Sequence, residues 1–138
     1  MATATLTLTS ADIAGDPVNV SKTATLTKAG VTTGLDQTTG LTKIILTTDS
    51  AMTIIPSEHT LGSGKSAKVY ISNNSTLEDE YITVKVYNQI IGTLYAGQWM
   101  FFPWSQLDGN SDIIINASAA GKSMPIEYML MHEGHAFA

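Results

Sequence analysis

Apolar and polar residues alternate along most of the chain, from Lys43 to Met131. A period of two sends successive side chains to opposite faces of a strand, so each segment predicts a strand with one buried face and one wet face. Turn residues separate the segments, as is typical of a sandwich or barrel. We therefore expect an all-β fold: an antiparallel β-sandwich, jelly-roll-like, of about eight strands with little or no helix.

Two N-terminal segments repeat each other. Thr3–Thr7 (TATLT) recurs as Thr23–Thr27, with Ala and Leu on one face and Thr on the other. The turn signal Gly15-Asp16-Pro17 lies between them, which predicts a hairpin or two neighbouring strands. The Gly/Thr-rich segment Gly30–Gly40 reads as a long loop. Alternatively, residues 1–12 form an arm that adds a strand to an open sheet edge of a neighbouring subunit. The residues of that candidate contact are Thr3, Thr5, Leu6, Thr7, Leu8 and Thr9.

The length of 138 residues fits one domain, 1–138, with residues 1–12 as the candidate arm and residues 132–138 as a C-terminal tail. The first residues lack the basic and apolar regions of a signal peptide. No apolar run approaches the roughly 20 residues of a membrane helix. We expect synthesis in a cytoplasm without export by the usual route, and no membrane partner.

The charge content points to partner chains. Charged residues make up 14% of the sequence, against about 25% in a typical domain, and the mean hydropathy is +0.11. A lone monomer with so few charged residues would be poorly soluble. We therefore expect its apolar surface to be buried against other protein chains, in preference to an unusually apolar monomer. The net charge is −5 and the lysines are scattered. With no basic patch to neutralise phosphates, nucleic-acid binding is disfavoured.

No motif predicts catalysis, a metal or a cofactor. Gly62–Ser66 resembles the end of a phosphate-binding loop, but the strand-like Ala67–Ile71 follows where that loop requires a helix. His132–His135 does not have the spacing of a zinc-binding helix and reads as a solvated tail. Glu78–Glu80 reads as a wet loop, with a cation such as calcium as a weak alternative. Cysteine is absent and no nucleophile has a base beside it, so we expect a protein that is not an enzyme.

Aromatic residues crowd into one short stretch around Pro103, and they cannot all fill one core. Trp99 and Phe101 share one strand face, whereas Phe102 and Trp104 lie towards the other. Tryptophan and tyrosine are enriched at interfaces. At least one Trp is therefore expected to anchor an interface, with a stacking platform for sugar as the alternative use. The candidate anchors are Tyr95, Trp99 and Trp104.

The C-terminal half resembles a known class of protein. It has a strand that ends in Asn, a Leu-x-Ala-Gly-x-aromatic segment that continues to Phe-Pro-Trp, and a closing Ile-Glu-Tyr strand. The positions are Val69 to Asn73, Leu94 to Gly97, Phe102 to Trp104 and Ile126 to Tyr128. This pattern, over residues 67–131, is similar to small β-sandwich virion structural proteins of tailed bacteriophages. The Thr-rich N-terminal section departs from it.

The resemblance implies a non-enzymatic virion component. The first expectation is a capsid decoration (cement) protein that binds the assembled shell and stabilises it; the alternative is a tail or fibre subunit with a receptor- or carbohydrate-binding sandwich. The implied partners are the major capsid protein, copies of this chain, or a host-surface glycan, and the implied location is the virion.

Overall fold

The computed structural model describes residues 1–12, 15, 17–47, 51–56, 65–104, 111–118 and 123–133. These residues form strands and turns and contain no helix, so the all-β prediction is confirmed. The chain forms two compact units, Met1–Leu35 and Asp36–Ala138. The strands are β1 (Thr3–Ser10), β2 (Val18–Thr25), β3 (Gln37–Thr38), β4 (Thr42–Leu46), β5 (Met52–Ile55), β6 (Ala67–Asn73), β7 (Tyr81–Val86), β8 (Gln89–Tyr95), β9 (Trp99–Pro103), β10 (Ile113–Ala117) and β11 (Met124–His132).

The first unit is built on a β-hairpin. β1 and β2 pair antiparallel without a register shift, from Thr3 opposite Thr25 to Ser10 opposite Val18. The two copies of the repeat therefore lie side by side, which confirms the predicted hairpin. Directly after β2, Leu26 is buried and donates its backbone N–H to the Ala2 carbonyl oxygen at 2.9 Å.

The second unit is a jelly roll of two antiparallel sheets. The front sheet has the order β5-β10-β7-β8, and the back sheet has the order β4-β11-β6-β9, with the short β3 pairing β11 beyond the end of β4. The first and last of the eight strands β4–β11 are thus neighbours. The chain crosses between the sheets at every connection except the β7–β8 hairpin, which lies within the front sheet, as in an eight-stranded jelly roll. The antiparallel β-sandwich with about eight strands is confirmed for this unit.

Alternating side chains of both sheets meet to form one core. In β6, Val69 and Ile71 are fully buried while Lys68 and Tyr70 are only partly so; in β10, Ile113 and Ile115 are fully buried. Branched apolar side chains suit these positions because they pack well on a pleated surface. The core cluster consists of Leu46, Ile54, Ile55, Ala67, Val69, Ile71, Ile82, Val84, Leu94, Trp104, Ile113, Ile115, Ala117, Met124, Ile126 and Leu130.

One buried amide joins the two sheets. Asn73, the last residue of β6, donates from Nδ2 to the Leu94 carbonyl oxygen in the front sheet at 3.0 Å. Its Oδ1 accepts the backbone N–H of Ser75 at 3.0 Å. Its backbone N–H and carbonyl bond to Gln98 and Gly97 in the turn between β8 and β9. The Asn73 side chain therefore satisfies buried backbone groups that would otherwise lack partners.

Two sequence-based boundaries change. The segment predicted as a long loop, 30–40, contains β3 and one end of an isolated bridge between Thr27 and Gly34. The predicted tail, 132–138, begins with two buried residues, since His132 ends β11 and Glu133 follows it. The remainder of that tail, 134–138, lies outside the described residues.

We expect Asn73→Ala to lower the free energy of unfolding by about 3 kcal/mol, because it leaves the buried Leu94 carbonyl and Ser75 N–H without partners. Chemical denaturation followed by tryptophan fluorescence measures the change. The neighbouring Asn74→Ala is the matched control and should cost less than about 1 kcal/mol, since Asn74 is exposed. Equal losses for the two variants would contradict the role assigned to Asn73.

Candidate interaction surfaces

The outer face of the back sheet is unusually apolar. Val69 and Ile71 point into the core, so the register of β9 and β11 against β6 fixes which of their residues point out. Phe101, Tyr70 and Met129 lie opposite one another and form a row across three strands. We call this surface the outer apolar face; its members are Ile45, Tyr70, Trp99, Phe101, Met129 and Met131.

Two large side chains of this face are strongly exposed. Ile45 is 62% exposed and Trp99 is 55% exposed. The opposite side of β9 carries Met100 and Phe102, which pack against the core. This confirms that Trp99 and Phe101 share one strand face and that Phe102 lies on the other. Trp99 is therefore presented to solvent by the register of β9, as an interface anchor must be.

A small polar network lies within the outer apolar face. The Tyr70 hydroxyl donates to Glu127 Oε1 at 2.7 Å, and Asn74 Nδ2 donates to Glu127 Oε2 at 3.3 Å. Burial, and secondarily the hydrogen bond to Glu127, raise the pKa of Tyr70 above 10.0. The Tyr70 phenol is thus held in its protonated form, as a donor to the carboxylate. Lys43 lies opposite Glu127 on β4.

The structure separates the three aromatic residues that the sequence grouped as candidate anchors. Tyr95 lies on the outer face of the front sheet, with its ring centroid 5.0 Å from that of Tyr81. Gly97, with a φ of +79°, lies in the turn that carries the chain from there to Trp99 on the back sheet. Trp104 is only 4% exposed, and its Nε1 donates to the Ser111 carbonyl oxygen at 3.0 Å. Trp104 is therefore a core residue, and its ring is not available to anchor a partner.

The hairpin presents two different faces. Thr3, Thr5, Thr7 and Thr9 lie opposite hydroxyl and amide side chains of β2, and the Oγ1 atoms of Thr5 and Thr23 are 3.0 Å apart. The other face carries Leu6 and Leu8, which are 46% and 48% exposed. All six residues predicted for the N-terminal contact thus lie in β1, already paired with β2 along one edge.

The acidic and histidine clusters have structural surroundings. Glu133 is buried, accepts the Ser66 N–H at 2.8 Å and lies 3.4 Å from Lys65 Nζ. Glu80 is 2% exposed, and its Oε2 has no hydrogen-bond partner among the described residues, so the prediction of a wet loop is wrong at Glu80. Within the described ranges, no three His, Asp or Glu side chains come together as a metal site would need. His59 and His135 lie outside those ranges.

Comparisons with known proteins found a structural similarity but no matching family. No protein-family model matches the chain, and no curated protein matches it. Among solved structures, it is similar to a cupin_2 domain of an XRE-family transcriptional regulator from Enterobacter cloacae. The identity is 17% and the TM-score is 0.42, over 69% of this chain and 81% of that chain. A likeness at this level assigns neither a family nor an activity to the chain. No helix within the described residues is long and apolar enough to cross a membrane.

The assignment to virion structural proteins of tailed bacteriophages is wrong. No family model matches the chain, of a phage protein or of any other class, and the solved structure described above is a domain of a transcriptional regulator. The capsid decoration role and the alternative role in a tail or fibre are overturned with it. The capsid protein as partner and the virion as location followed from the same resemblance. Self-association is the partner hypothesis that the residues themselves indicate.

We expect Tyr70→Phe to destabilise the fold by about 1 kcal/mol at neutral pH, because the hydrogen bond to Glu127 is lost. Since the folded state raises the pKa of Tyr70, this contribution is complete below about pH 10 and is lost as the pH rises through the folded-state pKa. The difference in unfolding free energy between wild type and variant should therefore narrow above about pH 10.

Denaturant titrations at neutral and alkaline pH measure this narrowing. Glu127→Gln is the control: it removes the carboxylate, so in that background the effect of Tyr70→Phe should depend less on pH. A wild-type-to-variant difference that stayed constant through pH 11 would contradict the assigned coupling.

Proposed function

We propose that this chain is a non-catalytic subunit of a homomeric assembly, in which the outer apolar face binds the same face of a second copy. The observation that carries the proposal is the exposure of Trp99 and Ile45 on one sheet face that also holds the row Phe101, Tyr70 and Met129. Antiparallel sheets that face water on one side normally turn polar side chains outward. Here Trp99, Phe101, Tyr70, Met129 and Met131 are neighbours and form an apolar cluster, which is typical of a protein contact, while the row Ser72, Glu127 and Lys43 separates this cluster from Ile45.

The size of the face fits a contact between two folded domains. Four strands at about 4.8 Å spacing, each about 20 Å long, give a projected area of roughly 400 Å², and side-chain relief enlarges the accessible area. A standard interface buries about 800 Å² on each partner. The outer face of the back sheet, with its polar rim, is thus large enough to supply at least about half of one side of such an interface.

The charges on the face fit a second copy better than a strongly charged partner. The face carries Glu127 together with Lys43 and Lys68, so it holds both signs and a small net charge. In a two-fold contact, each copy offers the same patch to the other. Glu127 of one copy can then meet a lysine of the other around a central apolar row. The low charge of the whole chain, 14%, supports permanent burial of such a surface.

Two carboxylates support a structural role over a catalytic one. Glu127 accepts hydrogen bonds from Tyr70 and Asn74, and Glu133 holds the Ser66 N–H and the Lys65 ammonium group. General acid–base catalysis needs a titratable group within reach of a substrate proton. Glu127 and Glu133 are engaged with neighbouring protein groups, which fits a scaffold.

We expect Trp99→Ala to weaken association about 30-fold, because loss of an interface tryptophan typically costs about 2 kcal/mol or more. Sedimentation equilibrium of the full chain measures the dissociation constant and the molar mass, and the mass of the assembled species should fall by half. Ile90→Ala is the matched control, since Ile90 is an exposed apolar residue on β8 in the front sheet.

Two outcomes contradict the proposal. One is a wild-type chain that stays monomeric at about 100 μM, a concentration that would reveal even weak association. The other is an equal loss of association in Trp99→Ala and Ile90→Ala, which would show that the outer apolar face has no special role.

A further inference from the structure

We infer that β1 pairs along its open edge with β1 of a second copy, antiparallel, and so joins two hairpins into one four-stranded sheet of order β2-β1-β1-β2. This contact uses the first unit, whereas the outer apolar face belongs to the second. The inference therefore goes beyond the proposed function and can fail or hold independently of it.

The hairpin buries too little surface to be stable by itself. None of the eight residues of β1 or the eight residues of β2 is buried. A lone two-stranded hairpin is marginally stable in water at best, whereas three or more strands with an apolar face can be stable. Pairing two hairpins through β1 reaches four strands and places the Leu6 and Leu8 side chains on a wider apolar face.

The backbone geometry shows which groups point to the open edge. The Ala2 carbonyl bonds to Leu26 across the hairpin, and in antiparallel pairs such inward-pointing residues alternate with outward-pointing ones. The even-numbered residues of β1 therefore bond to β2. Thr3, Thr5, Thr7 and Thr9 direct their backbone N–H and carbonyl groups outward, and no other strand of the described residues pairs with that edge.

The edge of β1 lacks the features that normally protect edge strands. Charges, proline and bulges disfavour edge-to-edge pairing, yet β1 has no charged residue, no proline and no shift over its eight pairs. The other hairpin strand, β2, follows Pro17 and contains Lys22. In the second unit, the edge strand β9 ends on Pro103, and β5 and β8 both pair with register shifts. β1 is thus a long edge strand without such protection, whereas β2, β5, β8 and β9 each have at least one protective feature.

A second copy of β1 is the partner that fits this edge. On both copies, the backbone groups that point outward belong to odd-numbered residues of β1. Hydrogen bonding between the two β1 strands therefore places odd-numbered residues opposite odd-numbered residues, and even-numbered residues opposite even-numbered ones. Thr then lies opposite Thr, and Ala or Leu lies opposite Ala or Leu. Each hairpin face therefore continues across the new sheet, and the Thr pairing repeats the contact between Thr5 and Thr23. Antiparallel self-pairing also closes under two-fold symmetry.

Amide hydrogen exchange on the unmodified full chain tests the inference first. At high concentration the outward amides of Thr5 and Thr7 should exchange at least tenfold more slowly than those of Ser21 and Thr23, which occupy the equivalent outward positions on β2. Dilution should remove the difference. Equal exchange on the two edges at every concentration would overturn the inference.

Proline substitution tests it a second time with a matched pair. Thr5→Pro removes one outward N–H from β1, and Thr23→Pro removes the outward N–H of its cross-strand partner on β2. We expect Thr5→Pro to weaken this contact at least tenfold and Thr23→Pro to leave it intact. The reverse result would assign the contact to β2 and overturn the inference.

The two interfaces give separable results in sedimentation experiments. If both exist, Trp99→Ala leaves dimers joined through β1, Thr5→Pro leaves dimers joined through the outer apolar face, and the double variant is monomeric. If Trp99→Ala alone gives monomers, the β1 pairing is refuted while the proposed function stands. If Thr5→Pro alone gives monomers, the β1 pairing stands and the proposed contact of the outer apolar face is refuted.

Discussion

The Asn73 side chain fixes how the two sheets of the jelly roll meet. Its amide bonds to Leu94 in the front sheet while its backbone belongs to β6 in the back sheet, and the turn at Gly97 bonds to that same backbone. A buried amide must keep its partners, so β6 cannot slide along its neighbours. A shift of one residue would send every side chain of a strand to the other face. The orientation of Tyr70 and of the strands paired with β6 therefore depends on this one contact.

That constraint links the core to the surface. Val69, Ile71 and Asn73 share one face of β6 and are all buried, so Tyr70 lies on the other face and points outward. The same register sets Met100 against the core and leaves Trp99 in solvent. The outer apolar face is thus the second face of strands whose first face builds the core. Its apolar character adds nothing to the packing of the core, which is why an intermolecular role explains it better than the stability of one chain.

The alternation of apolar and polar residues predicted the strands well, but it predicted poorly what the side chains on each strand face contact. Alternation at Ala67–Ile71 and at 82–86 gave β6 and β7, because the period of two survives in any pleated strand. The pattern could not show that the Trp104 side chain enters the core and bonds to the Ser111 carbonyl oxygen, since Trp104 follows the end of β9, where the alternation of the strand stops. The turn at Tyr87-Asn88 contains no Gly or Pro. Tyr87 adopts a φ of +55° there, which is uncommon for a non-glycine residue and could not be predicted from the residue type. Glu80 is also buried, which its acidic neighbours Glu78 and Asp79 did not indicate.

The mistaken virion assignment has a physical explanation in the residues that suggested it. Asn73 is needed for hydrogen bonds between the sheets, Gly97 for a positive φ, Trp104 for the core and its bond to Ser111, and Ile126 for the core. Each of these residues is required by the jelly-roll fold, so the pattern indicates the architecture and not the function. Surfaces that the architecture does not require carry more information about function. Trp99 on the outer face and the uncharged edge of β1 are both of this kind, since neither belongs to the core cluster.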